Sequence, residues 1–117
     1  MSAFPKPALS AIAQQLIAAL DEYQAEFDEL LSGRHSLESC RQVSQRLDEV
    51  VMLKGALPQL SVQMVELLVC HTELMHVLWG AVPRTPDGRR ELVDRHREAL
   101  LAMRRRCQRL FGEGLPH

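Results

Sequence analysis

Apolar residues recur at intervals of three and four along nearly the whole chain, and no stretch alternates between apolar and polar residues long enough to predict a β-strand. Residues three and four apart share one face of an α-helix, so this spacing predicts an all-α protein. Glycine and proline interrupt the pattern at a few places. Between these interruptions we predict four helices, over residues 7–32, 37–54, 58–79 and 86–111.

The residues at the interruptions favour helix ends. Ser36 and Thr85 are placed to cap the second and fourth helices, because a hydroxyl can accept a hydrogen bond from a free backbone N–H. Gly33, Gly55 and Gly80 follow helical segments, where glycine commonly ends a helix. Four helices joined by short turns are typical of an antiparallel up-down-up-down four-helix bundle. We predict that residues 1–117 form one such domain.

The turn positions also predict which core residues face one another. In an antiparallel hairpin, facing residues have a nearly constant sum of sequence numbers, set by the centre of the turn. This rule places the apolar residues of the four helices in four layers. The layers are Leu20, Val50, Met64 and Met103; Tyr23, Leu47, Leu67 and Leu100; Phe27, Val43, His71 and His96; and Leu30, Cys40, Leu74 and Val93.

One of these layers contains two histidines, His71 and His96. A buried imidazole needs a hydrogen-bond partner, because an unpaired buried polar group costs roughly 1 to 3 kcal/mol. We interpret the pair as a structural polar layer in which the neutral rings can bond one another, with no metal and no cofactor. The alternative is a metal- or pH-responsive bundle, in which Cys40 or a water would complete a metal site with the two imidazoles.

The third helix carries more apolar surface than one core can use. Val62, Val65, Val69 and Trp79 fall on its side or reverse face, together with His76. A surface helix normally keeps that face polar, so a contiguous apolar patch indicates an interface. We predict a homodimer through these five residues, with Trp79 as the anchor. A complex with a different protein, or an unusually central third helix, would give the same pattern.

Charge is unevenly distributed along the chain. Residues 1–83 contain 5 Lys/Arg and 10 Asp/Glu, whereas residues 84–111 contain 9 Arg and 4 Asp/Glu. Pairing of Arg95 and Arg97 with Asp28 and Glu26 on the neighbouring first helix would balance part of this difference.

A basic patch lies farther along the fourth helix, where the first helix is predicted to offer no carboxylate. It consists of Arg104, Arg105, Arg106 and Arg109. An acidic protein partner would suit this patch. Nucleic-acid binding is a third hypothesis, which the overall pI of 6.5 and the 4% aromatic content disfavour.

The composition, 46% hydrophobic and 25% charged, is that of an ordinary globular protein. We expect no secretory signal, because the N-terminus lacks a basic start followed by a long apolar run and a small-residue cleavage site. We expect no membrane helix, because the longest apolar segment, residues 57–82, is interrupted by Glu66 and Glu73. A cytoplasmic location is the resulting expectation, and the Arg/Leu/Ala-rich usage suggests a bacterial source. Cys40, Cys70 and Cys107 match no disulfide or zinc pattern and are expected to be reduced, buried thiols.

No motif predicts catalysis. The six serines from Ser10 to Ser61 lie in capping, turn or helical contexts, and the six glycines form no phosphate-binding loop. Glu73 and His76 make the Glu-x-x-His step of di-iron bundles once, whereas such bundles use it twice. We therefore do not expect an enzyme.

The segment VVMLKGALPQL resembles the His-x-x-Lys-Gly signature of histidine phosphotransfer domains, which are also four-helix bundles. The resemblance covers Lys54 and Gly55 alone. Val51 stands at the position that would be phosphorylated, and valine cannot accept a phosphoryl group. The sequence therefore favours a small non-catalytic bundle that acts through protein–protein contacts, as an adaptor, regulator or chaperone-like factor.

Overall fold

The computed structural model describes residues 6–33, 36–80 and 85–113, and these form a bundle of four α-helices. The helices are α1 (Lys6–Leu31), α2 (Leu37–Lys54), α3 (Ser61–Leu78) and α4 (Pro86–Glu113), with a single 3₁₀ turn (Pro58–Leu60) before α3. No strand occurs within the described ranges. The all-α, four-helix prediction is confirmed.

The helix ends follow local chemistry. The Ser36 hydroxyl accepts a hydrogen bond from the backbone N–H of Ser39 at 3.1 Å, and the Thr85 hydroxyl accepts one from Gly88 at 3.0 Å. Gly33 and Gly80 have φ of +104° and +71°, a left-handed conformation that glycine adopts without strain. Both predicted N-caps are therefore confirmed, and both glycines end their helices for the expected reason.

α2 spans the predicted residues 37–54, whereas several ends of the other helices differ from the prediction by one to three residues. Gly55 keeps right-handed helical geometry, so α2 ends because the backbone leaves the helical region at Leu57, directly before Pro58. The turn that Pro58 begins is 3₁₀, so the α-helical part of the third segment starts at Ser61. At the other end of the chain, α4 continues through Gly112 to Glu113, beyond the predicted end at residue 111.

The four helices do not pack equally. α1 packs closely along both α2 and α4, and α3 packs closely along α4. α2 and α3 approach one another at only a few positions, although they are consecutive in the chain. The bundle therefore has three tight interhelical seams and one loose one, which we call the α2–α3 seam.

The residues of the predicted layers lie in the core, which also contains residues outside these layers such as Leu16 and Cys107. All residues of the layers are buried except Val93, which is partly buried at the edge of the core. Leu57 and Leu60, from the turn before α3, are also fully buried and extend the core at the end where α2 meets α3. Within residues 6–33, 36–80 and 85–113, no helix combines the length and the apolar character needed to cross a bilayer.

Candidate functional site

His71 and His96 lie in the core and both bond the same hydroxyl group. Tyr23 from α1 places its hydroxyl oxygen 2.8 Å from Nδ1 of His71 on α3 and 2.8 Å from Nε2 of His96 on α4. The three side chains, which we call the polar cluster, are 0%, 8% and 2% exposed. The predicted hydrogen bond between the two imidazoles is wrong, because the longer Tyr23 side chain reaches between them from the adjacent layer.

The hydrogen bonds of the polar cluster depend on how many protons its three side chains carry. A neutral imidazole has one N–H and one accepting nitrogen, and a tyrosine hydroxyl has one proton to donate. Tyr23 can therefore donate to one ring while it accepts from the other. Both facing nitrogens are satisfied when both imidazoles are neutral, with one ring presenting its N–H and the other its accepting nitrogen to the hydroxyl. Protonation of the accepting ring breaks one of the two hydrogen bonds.

The surroundings of the polar cluster favour that neutral state. The Phe27 ring centroid lies 4.4 Å from that of His96 and 5.6 Å from that of His71. Burial lowers the pKa of both imidazoles to about 4 and raises the pKa of the Tyr23 hydroxyl. Asp48 opposes the decrease in the pKa of His71, whereas His71 and Arg97 add to the decrease for His96. The two imidazoles therefore share the effect of burial but differ in the charges that surround them.

The structure does not assemble the metal site considered for His71, His96 and Cys40. The described residues contain no group of three or more His, Cys, Asp or Glu side chains placed to hold a metal ion. Cys40 is buried and lines a groove between α2 and Trp79. Burial raises the pKa of Cys70 and raises that of Cys107 to about 11, so these thiols are protonated at neutral pH and are poor nucleophiles.

The reverse side of α3 carries an exposed apolar surface, which we call the outer face. Val62, Val65 and Val69 are 77%, 60% and 42% exposed, and His76 is also exposed. Because the buried residues of α3 occupy the opposite side of the helix, these valines face away from the core. The structure thus places the valines together on one surface, as the spacing predicts.

Trp79 is exposed but occupies a different position from the valines. It lines an open groove of about 420 Å³ with residues of α2. The residues of α2 that line this groove are Leu37, Cys40, Arg41, Ser44, Gln45 and Asp48. Trp79 therefore lies at the α2–α3 seam, beside the outer face. Leu37 and Leu68 are also exposed apolar residues, and neither belongs to the predicted interface.

The ion pairs correct several predicted partners. Arg95 forms ion pairs with Glu66 and Glu73 of α3, at N···O distances of 3.8 and 3.7 Å, instead of pairing with Asp28 on α1. Glu26 is bonded by Arg46 of α2 at 3.1 Å and is not the partner of Arg97. The rotation of each helix about its own axis decides which neighbour a surface side chain meets, and Arg95 lies on the side of α4 that faces α3.

One arginine of the basic patch pairs with a carboxylate of α1. Arg104 pairs with Asp21 of α1 and also donates to Gln24 at 3.2 Å, so the prediction that α1 offers no carboxylate here is wrong. Arg105 and Arg109 are exposed and Arg106 is partly buried. The exposed part of the patch is therefore smaller than the four arginines suggest.

The polar cluster on the inner side of α3 and the apolar surface on its outer side are the two candidate functional features. Comparison of the chain with models of protein families, with curated proteins and with solved structures gives no match.

Proposed function

We propose that this protein acts without catalysis, through protein–protein contact, and that the outer face of α3 joins two copies of the chain. The observation that carries the proposal is the exposure of Val62, Val65 and Val69 on one helix face. Burial of apolar surface provides roughly 25 cal/mol per Å², so three adjacent valines favour association over exposure to water. The exposed Leu68 borders the same face and enlarges the apolar surface.

The charges around the outer face are compatible with self-association. A contact between two copies related by a two-fold axis brings identical surfaces together, so an unbalanced charge would meet its own copy. Glu66 and Glu73, on the flank of α3, are paired with Arg95 from α4. This pairing reduces the repulsion that the two carboxylates would otherwise cause.

Nucleic-acid binding through α4 has less support. Arg104 is engaged by Asp21 and Gln24, which leaves Arg105 and Arg109 as the fully exposed arginines of the patch. Affinity for nucleic acid rises with the number of phosphates that a protein neutralises, so a smaller patch predicts weak binding. An acidic protein segment remains the partner that suits this surface.

Light scattering coupled to size-exclusion chromatography tests the proposal. The wild-type chain is expected at twice 13.3 kDa, and the double variant Val65→Glu/Val69→Glu at 13.3 kDa with unchanged helical circular dichroism. Met52→Glu is the matched control, because Met52 is an apolar residue of α2 that is as exposed as Val62. Its mass should equal that of the wild type. A wild-type mass of one chain at all concentrations would overturn the proposed dimer.

A further inference from the structure

The hydrogen bonds of the polar cluster depend on its protonation state. Because both ring nitrogens bond one oxygen at 2.8 Å, they are at most twice that distance apart. A proton added to the accepting nitrogen removes the acceptor of the Tyr23 hydroxyl and creates a buried cation. A buried charge is costly unless it is paired, so the protonated ring must find a counter-charge or reach water.

The charged and titratable groups around the cluster differ between the two histidines. Asp48 of α2 acts on His71, while the positively charged Arg97 of α4 acts on His96. On the remaining sides, α1 contributes the Tyr23 hydroxyl and α3 contributes the neutral thiol of Cys70. The only negative charge among these groups therefore favours protonation of His71 before His96.

His71 and Asp48 lie on α3 and α2, the two helices that meet at the loose α2–α3 seam. Asp48 is exposed and lines the open groove that also contains Trp79. His71 is 8% exposed, whereas His96 is 2% exposed and lies closer to the Phe27 ring. His71 thus lies on the side of the cluster where the packing is least tight and where a carboxylate is present.

We infer that the polar cluster is a proton-operated switch, in which His71 leaves the Tyr23 hydroxyl on protonation and pairs with the Asp48 carboxylate across the α2–α3 seam. Hydronium transfers the proton to the accepting ring nitrogen, so an N–H bond forms as an O–H bond of hydronium breaks, and water is released. After the exchange, Tyr23 and His96 remain bonded as two neutral groups. The inference does not depend on the proposed dimer, because the cluster lies on the inner side of α3 and the valines lie on its outer face.

Side-chain NMR of the histidine rings from pH 7.5 to below pH 3 tests the inference in the full chain, because this range contains the midpoints of both rings. His71 is expected to titrate before His96. In Asp48→Asn the titration midpoint of His71 should fall by about one pH unit, because an ion pair at a partly solvated site contributes on the order of 1 kcal/mol. Asp48 is exposed, so this substitution should leave the folded chain intact at pH 7.5.

Glu49→Gln is the matched control. It removes the same charge from the neighbouring residue of α2, but Glu49 pairs with Arg46 at 3.4 Å, on the side of α2 that faces α1. The midpoint of His71 should not change in this variant. Equal shifts in the two variants would overturn the inference, since they would show a general effect of net charge.

Trp79 is the only tryptophan and lines the same groove as Asp48, so it offers a second readout. Its fluorescence should change with the same midpoint as the His71 titration, and that midpoint should shift in Asp48→Asn. The inference is overturned if the helical circular dichroism of the wild type is lost before His71 titrates, because the cluster would then respond only by unfolding. It is equally overturned if His96 titrates first.

Discussion

The two faces of α3 show how one helix can meet two opposite requirements. Its inner face carries Leu67 and Leu74, fully buried, with His71 between them and bonded to Tyr23. Its outer face carries valines that water reaches. The inner side tolerates a polar group because that group has a partner, whereas the outer side has apolar groups that lack one. Both faces of α3 therefore carry apolar side chains. The faces differ in that the side chains of the inner face are packed or hydrogen-bonded within the chain, whereas the valines of the outer face are exposed.

The largest expected effect is the response of the inner face to acid. A histidine whose pKa is lowered by folding stabilises the folded chain fully above its ordinary pKa of 6.5, and this contribution is lost as the pH falls toward about 4. At pH 5, His71 and His96 together should reduce the free energy of unfolding by about 4 kcal/mol relative to pH 7.5. Urea denaturation at the two pH values measures the difference.

The exposed histidine of the outer face provides the control for this pH dependence. His76→Gln should leave the difference between pH 7.5 and pH 5 unchanged, because this substitution retains both buried imidazoles of the polar cluster. A wild-type chain whose stability does not fall over this range would contradict the description of both buried rings as neutral.

The next largest effect separates the apolar residues of the two faces. Leu67→Ala removes a fully buried side chain and should lower the free energy of unfolding by about 3 kcal/mol, from lost burial and the cavity that remains. Val65→Ala, two residues away on the outer face, should change it by less than about 0.5 kcal/mol in the monomer. Similar losses measured at low protein concentration would mean that the two faces are equally packed.

A smaller effect concerns hydroxyl groups. Tyr23→Phe keeps the ring but leaves two buried imidazole nitrogens without the hydroxyl that joins them, at a cost of about 2 kcal/mol. Thr72→Val removes an exposed hydroxyl of α3 that donates to the Leu68 carbonyl at 2.9 Å, and should change stability by less than about 0.5 kcal/mol. Thermal denaturation of the two variants at pH 7.5 measures both changes, and equal changes would contradict the role given to Tyr23.

The fold could be predicted from the sequence because the ends of its helices are determined by residues close to them in the chain. Helix ends could be located from Ser36, Thr85 and Pro58, since each acts on backbone groups within a few residues. The layer that contains His71 and His96 followed from turn positions and helical periodicity. That reasoning uses only the order of residues along each helix.

The details of the candidate site depend on information that periodicity does not contain. The link through Tyr23 requires the reach of one side chain into the neighbouring layer, although a tyrosine in a core layer was itself a signal, because a buried hydroxyl needs a partner. The pairing of Arg95 with Glu66 depends on the rotation of α4, and the loose α2–α3 seam depends on the distance between helices. None of these quantities can be read from the spacing of apolar residues.

The unequal seams also imply an order in which the helices can detach. α2 is held closely by α1 alone, whereas α1 and α4 each lie between two closely packed neighbours. Local opening costs less where fewer contacts are broken, so the backbone amides of α2 should exchange with solvent through a partly open state that leaves α1 and α4 paired. The pair of helices farthest apart in the sequence, α1 and α4, would then be the last part of the bundle to lose its structure.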